Sequence, residues 1–335
     1  MTFSLPSSSP TVRGRYAPSP TGLIHIGNAR TALAAWLSIR SRGGAFVWRL
    51  EDLDTPRVVP GMATAAQEDL AWLGLDWDEG PDAGGPYAPY LQSERSAYYE
   101  AALDRLAKAC RLFPCRISRK DLLELSSAPH GAEGLPPYPA ALRPMDVPPD
   151  WYPQLKSDPS PDAAIRFFVQ DHPVAFRDFV YGLVEERTSE AVGDFVLKRR
   201  DGFYSYQLAV VVDDLLMGIN EVVRGADLLD STGRQIQLIE ALGGTPPAYA
   251  HVPLVVNSRG EKLSKRDAGL DLRSLRRSGV RPEQIAGYLG YSLGLLERPH
   301  ALTAAELVPI FNWTGVPRDS WKLGDDLAAR LKEIR

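Results

Sequence analysis

Apolar residues in this chain come as short runs, separated by longer stretches in which they recur every three or four positions. Short runs are the pattern of buried strands, and three-to-four spacing is that of helices with one apolar face. Read this way, 13–17 is a first strand and 25–40 the helix that follows it. A second strand takes 45–50, with helices over about 62–73 and 93–112. Later strands fall at 194–199, 219–224 and 252–256, and 227–242 is helical between the last two. Such alternation predicts an α/β architecture with a parallel sheet.

The region from about 113 to 192 breaks the rhythm. Residues 129–161 are rich in Pro, Ser and Asp without sustained periodicity, and read as loop. A segment this long and irregular is usually functional or an insertion. The expected organisation is therefore one α/β unit in two halves, 1–112 and 193–270, interrupted by an inserted subdomain over 113–192. Short helical segments at roughly 281–290 and 303–309 make a helical stem of 271–335. No internal repeat is apparent.

Composition narrows the class. With 335 residues the chain can bury a substantial core. A formal charge of −4 provides no global basic footprint, so a nucleic acid would have to bind a local patch. There is no run of 18 apolar residues, which excludes a membrane helix on length. The first 15 residues, MTFSLPSSSPTVRGR, lack the long apolar core of a secretory signal. Two cysteines fit a reducing compartment and argue against a disulfide framework. The expectation is a cytoplasmic, soluble enzyme.

The chemistry concentrates at two places. Residues 18–28, Pro-Ser-Pro-Thr-Gly-Leu-Ile-His-Ile-Gly-Asn, put Gly22, His25 and Gly27 where the first strand turns into its helix. Phosphates favour helix N-termini, where backbone N–H groups and the helix dipole point at them. Taken alone, the segment is equally an ordinary glycine-containing turn with a surface histidine. Far downstream, Lys262 and Lys265 follow an Asn257-Ser-Arg-Gly260 turn after an apolar strand. Alone they read as a solvated basic loop. Opposite the first turn, two ammonium groups could clamp a triphosphate as charge builds in a transition state.

As an ordered pair, these segments resemble the HIGH and KMSKS signatures of class I aminoacyl-tRNA synthetases. The text between them extends the resemblance over nearly the whole chain. Arg15-Tyr-Ala-Pro-Ser19-Pro-Thr-Gly, Arg49-Leu-Glu51-Asp-Leu-Asp54, Tyr206-Gln-Leu-Ala and Val223-Arg224-Gly-Ala-Asp227 stand in the order seen in glutamyl-tRNA synthetases. The resemblance implies a Rossmann-like catalytic domain. It assigns catalytic roles to His25, Gly27, Asn28, Lys262 and Lys265, with His25, Gly27 and Lys265 on ATP. It places glutamate among Arg15, Ala17, Ser19, Glu51, Tyr206 and Arg224, with Glu51 on the substrate ammonium. Arginine suits bidentate carboxylate recognition, and a dicarboxylic amino acid needs two cationic partners. Which arginine takes the side-chain carboxylate stays open. So does the plainer reading, in which Glu51, Asp52 and Asp54 form a solvated acidic loop or helix cap and Arg224 pairs with Asp227.

Two departures resemble a shorter family, the glutamyl-Q tRNA(Asp) synthetases. The chain stops about 70 residues after the lysine loop, where glutamyl-tRNA synthetases carry a large anticodon-binding region. Val210 stands where those enzymes typically have Asn, and Gly-Ala-Asp-Leu-Leu-Asp-Ser-Thr after Arg224 looks like the shorter family. That family activates glutamate with ATP, without needing tRNA, and transfers it to queuosine at the first anticodon position of tRNA(Asp). The implied partners are L-glutamate, ATP with Mg²⁺ and the tRNA(Asp) anticodon arm, bound by a monomer. The family often holds zinc through Cys-x-Cys and Tyr-x3-Cys. Here Cys115 and Tyr138 match, but Ile117 and Leu142 replace the other cysteines, and neither Cys110 nor His130 restores a standard spacing. Zinc is not expected, and Cys110 and Cys115 read as buried small hydrophobes at a helix end. The competing readings are an abbreviated glutamyl-tRNA synthetase charging the 3′ end of tRNA(Glu), a tRNA-binding paralogue without activity, and a related nucleotidyl-transfer enzyme with another acid substrate. Arg273, Arg276 and Arg277 are candidate tRNA contacts or simply a solvated helix face.

Overall fold

Strand β1 (Arg13–Tyr16) pairs in parallel with β2 (Ala45–Trp48), and the helix between them, Ile26–Arg40, packs back on both. That helix is rich in alanine and leucine, and Ile26, Ala29, Ala32, Leu33, Ala34 and Leu37 have no exposed surface. Gly14 lets it come close: a Cβ there would stand 2.6 Å from Ile39 Cδ1. In this computed structural model, residues 3–6, 11–118, 121–122, 137–158, 161–263, 269–324 and 326–335 are described.

The central layer continues beyond β1. The Asn220 N–H donates to Arg13 O at 3.1 Å, which sets β8 (Glu221–Gly225) beside β1. β8 runs parallel to β9 (Ala248–Val252), and β9 parallel to β5 (Val174–Asp178). β6 (Gly182–Glu186) closes the edge as an antiparallel hairpin partner of β5. A second, antiparallel sheet joins β3 (Leu112–Cys115), β4 (Ala164–Phe167) and β7 (Phe195–Lys198). Its apolar residues share a core with the Ser96–Lys108 and Tyr206–Leu216 helices. Strand pairing crosses the bounds of the expected insertion over 113–192: β4 bonds to β7, and β5 joins the central sheet through β9.

Element ends differ from expectation for physical reasons. The expected helix over 93–112 runs from Ser96 to Lys108, and Leu112 instead opens β3. The reversal uses Cys110, whose φ of 54° is left-handed. The expected strand over 252–256 is split, because Pro253 has no N–H to give a ladder; β9 ends at Val252 and β10 (Val255–Val256) begins after it. Within 129–161, read as loop, the chain forms a 3₁₀ turn at Ala140–Leu142 and a helix at Trp151–Ser157; 123–136 and 159–160 lie outside the described residues.

The stem does not stand apart. Ile285 and Leu289 of the Pro282–Ser292 helix, Leu307 and Leu331 pack into the core of the Ile26–Arg40 helix. Buried Arg30 ties the two together, its guanidinium donating to Ser292 Oγ (2.9 Å), Ser292 O (2.9 Å) and Pro253 O (2.6 Å). β10 pairs in parallel with β11 (Trp321–Lys322). No helix among the described residues is long and apolar enough to cross a membrane.

Candidate active site

A cavity of about 960 Å³ opens at the carboxyl ends of β1 and β8, where ligands bind in open parallel sheets. Its wall includes Arg15, Ala17, Ser19, His25, Gly27, Asn28, Glu51, Tyr206, Arg224 and Lys262. Every residue expected to act on ATP or glutamate thus lines one space, except Lys265, which lies outside the described residues.

At one end stands His25, the N-cap of the Ile26–Arg40 helix, with extended backbone. Its Nδ1 accepts the N–H groups of Gly27 (3.1 Å) and Asn28 (3.2 Å), so in the neutral ring the proton sits on Nε2. The Ile26 N–H donates to Leu270 O and the Ala29 N–H to His25 O. The first amides of this helix are therefore already engaged, unlike the open anion site that the glycine-flanked turn implies. Gly27 leaves the ring its room, since a Cβ would crowd the His25 ring at 3.1 Å and Val255 Cβ at 3.3 Å.

The lysine turn forms as read: the Gly260 N–H donates to Asn257 O, and Gly260 has φ of 83°. Lys262 bridges back to Val256 and its ammonium pairs with Asp227 on the opposite wall. Asp227 therefore serves Lys262, not Arg224. Beyond the lysines, Asp271 bridges to His25, so both ends of the segment holding them are pinned to the cavity.

The other end carries buried charge. Arg15 Nε contacts Asp214 Oδ1 at 3.1 Å, and Arg49 Nη1 contacts the same atom at 2.7 Å. Burial works against Asp214's charge, but the two arginines outweigh it and hold its pKa below the ordinary value. Arg49 Nη2 also reaches Glu51 Oε1 at 3.2 Å. For Glu51 burial wins, and its pKa is raised despite Arg49 and Arg15. Burial and the neighbouring Glu51 push the Tyr206 phenol up to about 12, so it stays a neutral donor. Arg224 differs from Arg15. Its guanidinium donates to His251 Nε2 (3.0 Å), Gln235 Oε1 (2.6 Å) and Thr232 Oγ1 (2.9 Å), all neutral acceptors. The site holds both poles that a zwitterion with an extra carboxylate requires.

Sequence reasoning named neither Asp214 nor His251. Both had a signal, an acidic pair in the run Val-Val-Val-Asp213-Asp214-Leu-Leu and a lone histidine in an apolar strand. Asp52 accepts from the Ser93 N–H and hydroxyl, and Asp54 pairs with Arg57 at 3.5 Å, so both stand in loop contacts rather than beside Glu51's partners. Val210 is buried in apolar surroundings away from the cavity wall. Arg273 pairs with Asp69 and Glu68, and Arg276 lies over the Trp72 ring.

A second cavity of about 490 Å³ shares Ser19, Glu51, Arg57 and Tyr206 with the first and is further walled by Arg199 and Phe203. Further off, Cys115 Sγ lies 3.7 Å from Tyr138 Oη, which donates to Leu142 O at 2.9 Å. Ile117, Leu142 and Phe113 pack around them. This donor set does not fit tetrahedral zinc, and the described residues hold no cluster of three His, Cys, Asp or Glu side chains suited to a metal. His130 lies outside the described residues. Cys110 corrects the expectation of two buried cysteines, for it is exposed, and Cys115 is buried in a strand rather than at a helix end.

The fold is that of a class I tRNA synthetase, and residues 11–323 match the family described as tRNA synthetases class I (E and Q), catalytic domain. A glutamyl-Q tRNA(Asp) synthetase of Symbiobacterium thermophilum is 46% identical over 320 residues, covering 95% of this chain and 98% of that one. One from Nitratidesulfovibrio vulgaris is 42% identical, covering 96% and 98%. The crystal structure of a glutamate-tRNA synthetase from Elizabethkingia anophelis superposes with a TM-score of 0.83 at 30% identity, covering 96% of this chain and 70% of that one. The chain belongs to the glutamyl-Q tRNA(Asp) synthetase family and is a ligase-type enzyme.

Proposed function

We propose that the protein activates L-glutamate with ATP, without needing tRNA, and transfers it to queuosine at the wobble position of tRNA(Asp). The observation that carries the reading is that Arg224, bonded to the neutral His251, Gln235 and Thr232, and the acidic Glu51 line the same cavity as His25 and Lys262. In the first step a glutamate α-carboxylate oxygen attacks the α-phosphorus of ATP; the bond to the bridging oxygen breaks, pyrophosphate leaves and glutamyl-adenylate forms. Such displacement depends on position and charge neutralisation more than on covalent help. Glu51 takes the ammonium, Arg15 and Arg224 take the carboxylates, and Tyr206 donates to the substrate beside Ala17 and Ser19. His25, Gly27 and Asn28 hold the nucleotide, and Lys262 and Lys265 the leaving phosphates. ATP would arrive with Mg²⁺, which would offset phosphate charge beside Lys262 and Lys265. In the second step a queuosine ring hydroxyl attacks the activated carbonyl, its proton is lost, and AMP leaves. The second cavity shares Glu51 and Tyr206 with the first, and in this reading the acceptor approaches through it. The enzyme works as a cytoplasmic monomer on the tRNA(Asp) anticodon arm.

The test is ATP–pyrophosphate exchange with glutamate, with and without tRNA, beside a Lys265→Ala control. Exchange without tRNA, lost in the control, supports the reading. A second reading has one observation behind it: a glutamate–tRNA ligase from Sulfurihydrogenibium sp. is 41% identical over 280 residues, covering 57% of that chain. Exchange that appears only with tRNA(Glu) would favour it, and absence of exchange would favour a binding protein.

A further inference from the structure

Across three adjacent parallel strands the sheet sets an acid, a histidine and an arginine in a row. Arg224 of β8 is the direct ladder partner of His251 of β9, and Asp178 of β5 is the ladder partner of Tyr249, two residues before that histidine. Asp178 and His251 have no exposed side-chain surface. Asp178 Oδ1 accepts the N–H groups of Val180 and Tyr181, both at 2.9 Å, and Oδ2 lies 2.7 Å from His251 Nδ1. His251 Nε2 faces Arg224 Nε at 3.0 Å. An arginine can only donate, so Nε2 must accept, the ring proton sits on Nδ1, and Nδ1 donates to Asp178. The chain of bonds is self-consistent only with a neutral imidazole.

We propose that Asp178 and His251 are positioning residues that aim the Arg224 guanidinium into the cavity while leaving its charge for a ligand carboxylate. The inference rests on the reading of that cavity as the glutamate site. A carboxylate placed directly on Arg224 would orient it equally well but would offset its charge before a ligand arrived. An imidazole inserted between acid and arginine orients without cancelling. The row therefore sets affinity for the amino acid rather than the rate of displacement.

Protonation of His251 would turn its Nε2 into a donor facing another donor. The charged and titratable groups around it are Asp178 of β5, Arg224 of β8, Tyr249 of β9 and Arg15 of β1; Thr232 and Gln235 of the following helix are neutral. Burial, with Arg224 alongside, lowers the His251 pKa from 6.5, and Asp178 opposes that. Glutamate KM is accordingly expected to rise only as the pH falls below about 6.5.

The experiment is glutamate-dependent ATP–pyrophosphate exchange by the full chain, comparing wild type with Asp178→Asn, His251→Gln and His251→Leu, with thermal melts alongside. Asp178→Asn offers Nδ1 a donor and drives the ring proton to Nε2, against Arg224. It and His251→Leu should raise glutamate KM roughly tenfold, the scale of a lost bond to a charged group, with kcat and ATP KM within about threefold. His251→Gln, which keeps an acceptor for Arg224, should recover most of the affinity and lose the histidine component of the pH profile. Glutamate KM unchanged in Asp178→Asn and His251→Leu overturns the inference while the glutamate reading stands. Equal losses in kcat, both KM values and Tm in the Gln and Leu variants overturn it in favour of a packing role. Wild type without glutamate-dependent exchange overturns the parent reading, and this one with it.

Discussion

His25 closes the N-terminus of its own helix by accepting from Gly27 and Asn28 through one ring nitrogen. The same residue bridges to Asp271, beyond the lysine segment. One imidazole thus links helix start, cavity and lysine segment, and Gly27 keeps the space it needs. Gly27→Ala puts a methyl 3.1 Å from that ring. Alanine's helix propensity favours the substitution by up to ~1 kcal/mol, which offsets the crowding. The expected outcome is a melting temperature near that of wild type and an ATP KM raised roughly tenfold, on the scale of one charged hydrogen bond. Unchanged ATP KM would remove His25 placement from nucleotide binding.

Lys262 and Asp227 face each other across the cavity with side chains 59% and 37% exposed. An ion pair this wet contributes roughly 0–1 kcal/mol to stability. Lys262→Met should therefore leave the melting temperature in place. If the ammonium meets triphosphate, the same variant raises ATP KM roughly tenfold and spares glutamate KM. Asp227→Asn, which frees the lysine from its partner, should not raise ATP KM. Equal losses in the two variants would show that the pair, rather than the ammonium, is what the site uses.

The strand–turn–helix start and the lysine turn were legible because local chemistry decides them: Gly14, Gly27 and Gly260 stand where a close approach or positive φ is required. The cavity residues were legible only as a set carried by resemblance, since Arg15 comes from β1, Glu51 from the loop after β2 and Arg224 from β8. Asp214 and His251 escaped for the opposite reason. Their partners, Arg15 and Arg49 for one and Asp178 and Arg224 for the other, come from distant segments of the chain. The Tyr206–Leu216 helix carries three consecutive valines, which favour strand, yet Ser205 caps it by accepting from Leu208 N–H and burial secures it. β5 and β6 alternate inward and outward positions over only five residues each, and their membership of the sheet depends on β9.

Burial sets Glu51 against the stability of the fold. Burial raises its pKa above 4.5, so the folded state resists the charge that the unfolded chain accepts freely. The penalty is absent below pH 4.5, grows as pH rises toward the folded value and is fully present above it. Glu51→Gln should consequently melt higher than wild type at pH 7, with the gap closing as the pH falls toward 4.5. If Glu51 meets the substrate ammonium, the same variant should raise glutamate KM by roughly tenfold or more. A variant that melts lower at neutral pH would mean that Arg49 needs Glu51 more than burial disfavours it.

Cys110 and Cys115 should separate cleanly in a thiol titration. Cys110 is exposed and Cys115 is buried against Tyr138, so the native protein should react with a thiol reagent at one cysteine and the denatured protein at two. Cys110 also holds a left-handed φ of 54°, a conformation that costs a residue with a Cβ roughly 1–2 kcal/mol. Cys110→Gly should raise the melting temperature, and it should abolish the fast-reacting thiol without touching exchange activity. Cys115, Tyr138 and the carbonyls at Ile117 and Leu142 bond among themselves, and apolar packing takes the place a metal would need. Metal analysis should therefore find no stoichiometric zinc. One equivalent bound, with Cys115 protected until a chelator is added, would mean that ligands beyond the described residues complete a site that this donor set alone cannot form.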